Sequence, residues 1–203
     1  AAIEFNMDGT IIKANDNFLK TLGYTLDEIK GQHHRMFCDP AYTSTDEYAA
    51  FWQKLGRGEF DSGAYRRIGK GGKEVWIQAS YNPVKDEMGR PFKVVKFATD
   101  ITVQKKAQQE LEACMGEAQK SLGALAQGDL TQEMHGTYQG ELEQVKASIN
   151  AALTNLTHTI GSVRTAVESV TAGSEQITKG SEDLSQRTSE QASALEETSA
   201  SME

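Results

Sequence analysis

From Leu142 onward the chain repeats at steps of three and four residues. The members are Val145, Ile149, Ala152, Leu156, Ile160, Val163, Val167 and Val170, then Ser174, Ile177, Ser181, Leu184, Thr188, Gln191, Leu195, Thr198 and Met202. A stripe sustained for roughly 60 residues far exceeds an average globular helix of about 11–12 residues. Alternating steps of three and four are those of a heptad coiled coil. Between Ile149 and Ile160 the steps run three, four, four, an eleven-residue unit that locally unwinds a supercoil. The final stretch, "GSEDLSQRTSEQASALEETSASME", is polar enough to be disordered by composition. A helix this polar does not hold itself together, so the seam predicts a partner helix and therefore an oligomer.

The preceding residues follow a different grammar. All seven Phe and both Trp lie at or before Phe97, and of the tyrosines only Tyr138 lies beyond it. Pro40, Pro83 and Pro91 are the only prolines. The first half therefore reads as a mixed globular domain and the remainder as long helix. "AIEFN" and "TIIKAN" flank an Asp-Gly hairpin signal at Asp8-Gly9. "NDNFLKTLG" carries an Asn or Asp cap and a Gly stop, and "TLDEIKG" carries Thr25 and Glu28 at capping-box spacing. "TSTDEYAAFWQKLGRG" opens at Ser44 or Thr45 with acids in its first turn. Three strand-like runs follow, "SGAYRRIGK", "EVWIQASYNPV" and "FKVVKFATDI", separated by Gly71-Gly72 and "DEMGRP". Two strands, short helices and three strands predict a five-stranded antiparallel sheet with helices on one face. Between the halves, Leu111, Met115, Ala118, Leu122 and Leu125 stand at helical spacing up to a break at Gly128-Asp129. The loop "TQEMHGTYQG" then leads to a second helix at Glu141.

Charge and cysteine content exclude several classes. With 29 acidic and 21 basic residues the net charge is −8, which argues against a nucleic-acid partner. Cys38 and Cys114 stand far apart and show neither disulfide-framework nor zinc spacing, so the expected setting is reducing and cytoplasmic. Cys38 reads as a small buried hydrophobe. No stretch approaches the roughly 18 apolar residues of a membrane span, and a membrane anchor upstream of Ala1 stays compatible with the sequence.

Three successive pieces resemble known families. Residues 1–102 look like a PAS sensor domain, through the "DGTI" hairpin, "ANDNF", "GYTLDEIKGQ", "RRIGKGGKEVWIQASYNPV" and the closing Asp100-Ile101-Thr102. Within them "GQHHRMFCDP", followed by "FW" and "GEF", is similar to PAS domains of bacterial aerotaxis and energy-taxis receptors. Residues 103–160 resemble a HAMP module through "LAQGDLT" and "LEQVKASINAAL". Residues 161–203 look like the start of the signalling domain of a methyl-accepting chemotaxis protein, through "RTSEQASALEETSASME". The kinase-contacting hairpin tip of such receptors is not in the sequence, which therefore looks truncated.

The resemblance implies an α+β PAS domain followed by a helical HAMP-like module and a coiled coil. It implies a non-enzymatic transducer acting as a homodimer within larger receptor arrays. Through the missing tip it would address a chemotaxis histidine kinase and a coupling protein, and a methyltransferase and a methylesterase would adjust Glu190 and Glu197. Those two lie one heptad apart on one helix face, where one enzyme can read both and methylation removes negative charge; the bland alternative is a solubilising heptad flank. The rival reading is the sensor half of a histidine kinase, but His135 sits in a Gly-flanked loop and His158 in "LTHTIG", and neither has the context of a phosphoacceptor.

For the PAS interior the resemblance implies FAD, with Asn17, His34, Arg35, Asp39 and Trp52 at the matching positions and Trp76 and Asn82 added. Further candidate liners are Met36, Phe37, Tyr81, Phe92 and Phe97. Haem b through His33 or His34 is the second possibility, and ordinary core packing with no stable cofactor is the third. Asp100 and Thr102, where the last strand passes into the exit helix, are the candidate relay; a plain helix cap would use the same bonds.

Overall fold

The computed structural model describes residues 1–201, so Met202, the last member of the stripe, lies outside the described residues. The chain divides into one unit over residues 1–111 and a second over 112–203.

The first unit contains a five-stranded antiparallel sheet: β1 (Ala2–Asn6), β2 (Ile11–Ala14), β3 (Asp61–Ile68), β4 (Glu74–Lys85) and β5 (Pro91–Asp100), in the order β2-β1-β5-β4-β3. Local chemistry sets its turns. Asp8 Oδ1 accepts from the Thr10 amide at 2.9 Å, and Asp86 Oδ1 accepts from the amides of Met88 and Arg90 at 2.9 Å each. Four helices cross between β2 and β3. They are α1 (Asp16–Leu22), α2 (Leu26–Ile29), α3 (Pro40–Thr43) and α4 (Asp46–Gly56). Asn15 caps α1 by accepting from the Phe18 amide, and Gly23 closes it in the left-handed region. Thr25 and Glu28 form the capping box of α2, and Thr45 caps α4. A 3-10 turn over His34–Phe37 and the short α3 lie in a stretch that the sequence reading left without elements.

Strand alternation sorts the sheet into two faces. Val75, Ile77, Ala79 and Tyr81 of β4, Val94 and Ala98 of β5, and Ile3 and Phe5 of β1 are buried, joining Phe18, Leu22, Ile29, Phe37 and Leu55 from the helical side. Each fully buried Leu, Ile or Phe side chain contributes about 1.5–3 kcal/mol, so this one-sided core holds the helices on the sheet.

In the second unit, the helix α5 (Thr102–Ala126), which begins within the first unit, is followed by a connector and by α6 (Glu141–Ser201), a single helix of 61 residues. The connector is pinned by side chains. Asn150 donates to the Met134 carbonyl and accepts from its amide, both at 2.9 Å. Glu117 Oε2 accepts from the amides of His135 and Gly136 at 3.1 and 3.0 Å. Cys114, Ala118, Met134 and Tyr138 are buried together, with Leu142 and Ile149 against them. α6 runs through Gly161, Gly173 and Gly180 without interruption. Its buried side chain is Leu153, next to the expected Ala152, which is exposed. Beyond Ile149 the large residues of the stripe stand in solvent: Ile160, Val163 and Val167 are each 58% exposed and Ile177 is 72% exposed. On α5, Leu111, Met115 and Leu122 are exposed too, while the small residues Cys114, Ala118 and Ser121 are buried.

Candidate functional site

The interior of the first unit is organised around His34. Its ring is fully buried, with Nδ1 3.1 Å from the Tyr48 hydroxyl and Nε2 3.0 Å from the Tyr81 hydroxyl. Tyr81 also accepts from Arg67 Nη2 at 3.0 Å. Because Tyr81 already accepts from Arg67, its own proton goes to Nε2, which places the ring proton on Nδ1, donating to the Tyr48 hydroxyl oxygen. Phe5, Trp52 and Tyr81 meet the imidazole edge-on at 5.3, 5.5 and 5.6 Å, and Phe51 stacks on it at 6.0 Å. Burial, reinforced by Arg67 and Lys96, pushes the His34 pKa well below the ordinary imidazole value, so the ring is neutral. Gly9 sets how closely the hairpin approaches: a Cβ there would lie 2.7 Å from His33 Nε2, and φ of +87° suits glycine.

Two basic side chains share this interior. Arg67 is 3% exposed and Lys96 fully buried, and no acidic side chain is among the buried residues described. Arg67 also donates through Nη1 to the Arg66 carbonyl at 2.8 Å, and its guanidinium lies 4.8 Å from the Tyr65 ring centroid. Its Nε has no hydrogen-bond partner. Lys96 Nζ is likewise without one and rests 4.8 Å over the Tyr81 ring and 5.5 Å over Phe18. Burial first, and Arg67 second, drive the Lys96 pKa well below that of a free lysine. Neither cation was singled out from the sequence, yet a signal was there. Adjacent arginines in a strand point to opposite faces, so one of Arg66 and Arg67 must turn inward, and Lys96 shares its parity with Val94 and Ala98.

Of the residues expected around a cofactor, the structure brings together His34 and Trp52, with Tyr81 and Phe37 also buried or half-buried near them. Met36 is half-buried against the same core, and the others lie elsewhere. Asn17 and Arg35 are exposed. Asp39 caps α3 through the Ala41 amide and pairs with Arg66 at 3.2 Å. Trp76 and Asn82 alternate with the buried residues of β4 and therefore project from the other face of the sheet. Phe97 does the same on β5, at 57% exposure, and Phe92 is 52% exposed. His33 Nδ1 accepts from the Arg35 amide at 3.1 Å, and both nitrogens of His34 are taken by tyrosines, so His34 is not presented as a free haem ligand.

At the end of β5, Asp100 Oδ1 accepts from the Thr102 amide at 2.8 Å and from its hydroxyl at 2.5 Å. The Thr102 hydroxyl oxygen in turn accepts from the Trp76 amide at 2.9 Å, and the Ile101 amide donates to the Trp76 carbonyl at 2.8 Å. The first turn of α5 is thereby tied to β4 as well as to β5. Glu190 and Glu197 are both exposed on α6, and Glu190 accepts from Gln186 at 3.0 Å.

Residues 11–98 match the family model of the PAS fold, and residues 109–158 match that of the HAMP domain. Among curated proteins the chain is similar to the biofilm dispersion protein BdlA of Pseudomonas aeruginosa, with 49% identity over 102 residues, 50% of this chain and 24% of that protein. It is also similar to the aerotaxis receptor of Escherichia coli K12, with 34% identity over 82 residues, 40% of this chain and 16% of the receptor. The matched stretch thus spans a quarter or less of these relatives. Among solved structures it is similar to one described as "Flavin Analogue Sheds Light on Light-Oxygen-Voltage Domain Mechanism", at 24% identity and a TM-score of 0.44, covering 55% of this chain and 84% of that one.

Proposed function

From a PAS fold and a HAMP domain joined in one chemoreceptor-like chain, we propose a signal transducer for chemotaxis or energy taxis. Residues 1–102 sense redox state, oxygen or a small ligand in the interior around His34. Asp100 and Thr102 pass the change into α5, residues 103–160 relay it, and the helix over 161–203 carries it to a histidine kinase and its coupling protein. Glu190 and Glu197 are the methylation sites, served by a methyltransferase and a methylesterase. The chain works as a homodimer in the cytoplasm and performs no chemistry itself.

The observation that carries this reading is the exposed stripe of α6. Val163, Val167, Val170 and Ile177, all more than half exposed, repeat at coiled-coil spacing on a helix far too polar to stand alone. A second copy of the chain supplies the same stripe in register. The exposed Leu111, Met115 and Leu122 of α5 give the HAMP domain a corresponding face for the partner.

A flavin fits the donor set of the interior. Arg67 and Lys96 carry buried N–H groups without partners, which match a flavin's polar edge, while Trp52, Phe51 and His34 pack on one another and would have to part to admit its ring. When bound, it would supply a reversible redox response. Haem fits poorly, because its axial ligand would have to break the pairing of His34 with Tyr48 and Tyr81.

The test is a chimera in which the kinase-contacting tip of a characterised chemoreceptor continues α6 in heptad register, assayed with kinase and coupling protein. Kinase output that changes with redox state or ligand, and that loses this response in Asp100→Ala, is the expected result. Constant output from a chain that sediments as a monomer would overturn the proposal.

A further inference from the structure

β3 is an edge strand, and between it and the α3–α4 segment lies a groove of about 390 Å³. Small-molecule sites span roughly 300–1,000 Å³. The groove is separate from the packed interior, since neither His34 nor Trp52 lines it. Arg67 forms part of its wall and is 3% exposed. Arg67 Nη1 donates to the Arg66 carbonyl and Nη2 to the Tyr81 hydroxyl, while Nε has no partner. Among the described residues no carboxylate pairs with this guanidinium, and a buried cation without a counter-ion calls for a specific explanation. Two acids line the same groove. Asp39 is committed, since it accepts from the Ala41 amide and pairs with Arg66 at 3.2 Å. Glu47, exposed in the first turn of α4, has no ion pair among the described residues. Both charges bear on one hydroxyl: burial and then Glu47 push the Tyr42 pKa up, and Arg67 opposes them. The rest of the lining is largely aromatic, with Tyr42, Tyr65 and Trp76.

We infer that this groove is a binding site for a zwitterionic α-amino acid with an aromatic side chain, its carboxylate on Arg67, its ammonium on Glu47 and its ring against Tyr65 and Trp76. This rests on the sensing role given above to residues 1–102 and names the class of ligand sensed. The carboxylate supplies the counter-ion that Arg67 lacks, through a charge-assisted hydrogen bond. An acid without the amine meets the repulsion of Glu47, and an amine without the acid meets that of Arg67, so the two charges together select the zwitterion. The groove is also coupled to the exit helix. Trp76 donates its amide to the Thr102 hydroxyl at 2.9 Å, and Lys105 Nζ lies 5.4 Å from the centre of its ring. A side chain seated on Trp76 therefore bears on the first turn of α5.

The experiment is isothermal titration calorimetry of the full chain with L-phenylalanine and L-tryptophan. 3-Phenylpropanoate and 2-phenylethylamine serve as probes that keep the ring and one charge each. The amino acids should bind, and each single-charge probe should bind at least about tenfold more weakly than L-phenylalanine. Arg67→Met would also take a donor from the Tyr81 hydroxyl, so the exposed Glu47 carries the mutational arm. Glu47→Gln should weaken L-phenylalanine at least about tenfold while 3-phenylpropanoate keeps its affinity or gains. Binding of neither amino acid, equal binding of L-phenylalanine and 3-phenylpropanoate, or an unchanged preference between them in Glu47→Gln would each overturn the site. The titration reads binding alone: its failure leaves the tip-chimera assay free to succeed, and a silent chimera leaves the titration intact.

Discussion

The hydroxyl of Thr102 accepts a hydrogen bond from the main-chain amide of Trp76 at 2.9 Å, so a residue of α5 is stitched to β4, a strand distant in sequence. Because Asp100 holds that hydroxyl and the Thr102 amide together, its removal should release both. Asp100→Ala is expected to cost about 1 kcal/mol, in the range of a lost helix cap. Amide hydrogen exchange over residues 101–105 should accelerate while that of β1 stays unchanged. Unaltered exchange would show the junction to be held by other bonds.

Tyr81→Phe removes one oxygen and leaves Arg67 Nη2 and His34 Nε2 without their partner. Buried groups stranded in this way cost about 1–3 kcal/mol. Urea denaturation should report that loss with an unchanged m-value.

Stability should fall on the acid side of neutrality and rise on the alkaline side up to about pH 10. Unfolded, His34 takes a proton as pH drops through its ordinary 6.5, whereas the buried ring does not, so acid favours unfolding. Lys96 works in the same direction at higher pH: the unfolded amine is charged below 10.5 and the buried one sheds its proton, so stability climbs as pH rises towards that value. Burial pushes Tyr48 and Tyr81 up to about 12, so above their ordinary 10 the unfolded chain loses protons first and stability declines. Urea midpoints between about pH 5 and about pH 11 check the shape. Lys96→Met should flatten the rise between neutrality and pH 10 and leave the acid limb in place.

Val163→Lys or Val167→Lys places an ammonium in the exposed stripe of α6. Analytical ultracentrifugation should show a shift from dimer towards monomer, and circular dichroism a loss of helix confined to the second unit. In the opposite direction, Glu190→Gln with Glu197→Gln removes two negative charges from one face. The helix should then melt slightly higher at low salt, with the difference vanishing at high salt.

Local signals in the sequence translated directly into structure. Thr25 with Glu28, Asn15 with Gly23, and Asp86 ahead of Gly89 each act within a few residues, so their chemistry is visible without the fold. Asp100 and Thr102 were legible for the same reason, but not their link to Trp76, which depends on strand pairing. The interior was legible only in part. His34 and Trp52 reach it, while Trp76 and Asn82 leave it because one residue of register decides the face of a strand. Arg67 and Lys96 went unnoticed because charged residues on strands ordinarily face water. On α6 the stripe was plain, but Leu153 turns instead towards its own chain, a distinction made by the connector rather than by the period.

Glycine costs an α-helix about 1 kcal/mol relative to alanine, and α6 carries three, at Gly161, Gly173 and Gly180. At about 1.5 Å per residue the helix extends roughly 90 Å, which makes it less a stiff strut than a shaft with three soft joints. If the helix carries the proposed signal, those three positions are where a partner's packing has to make up for the lost helix propensity.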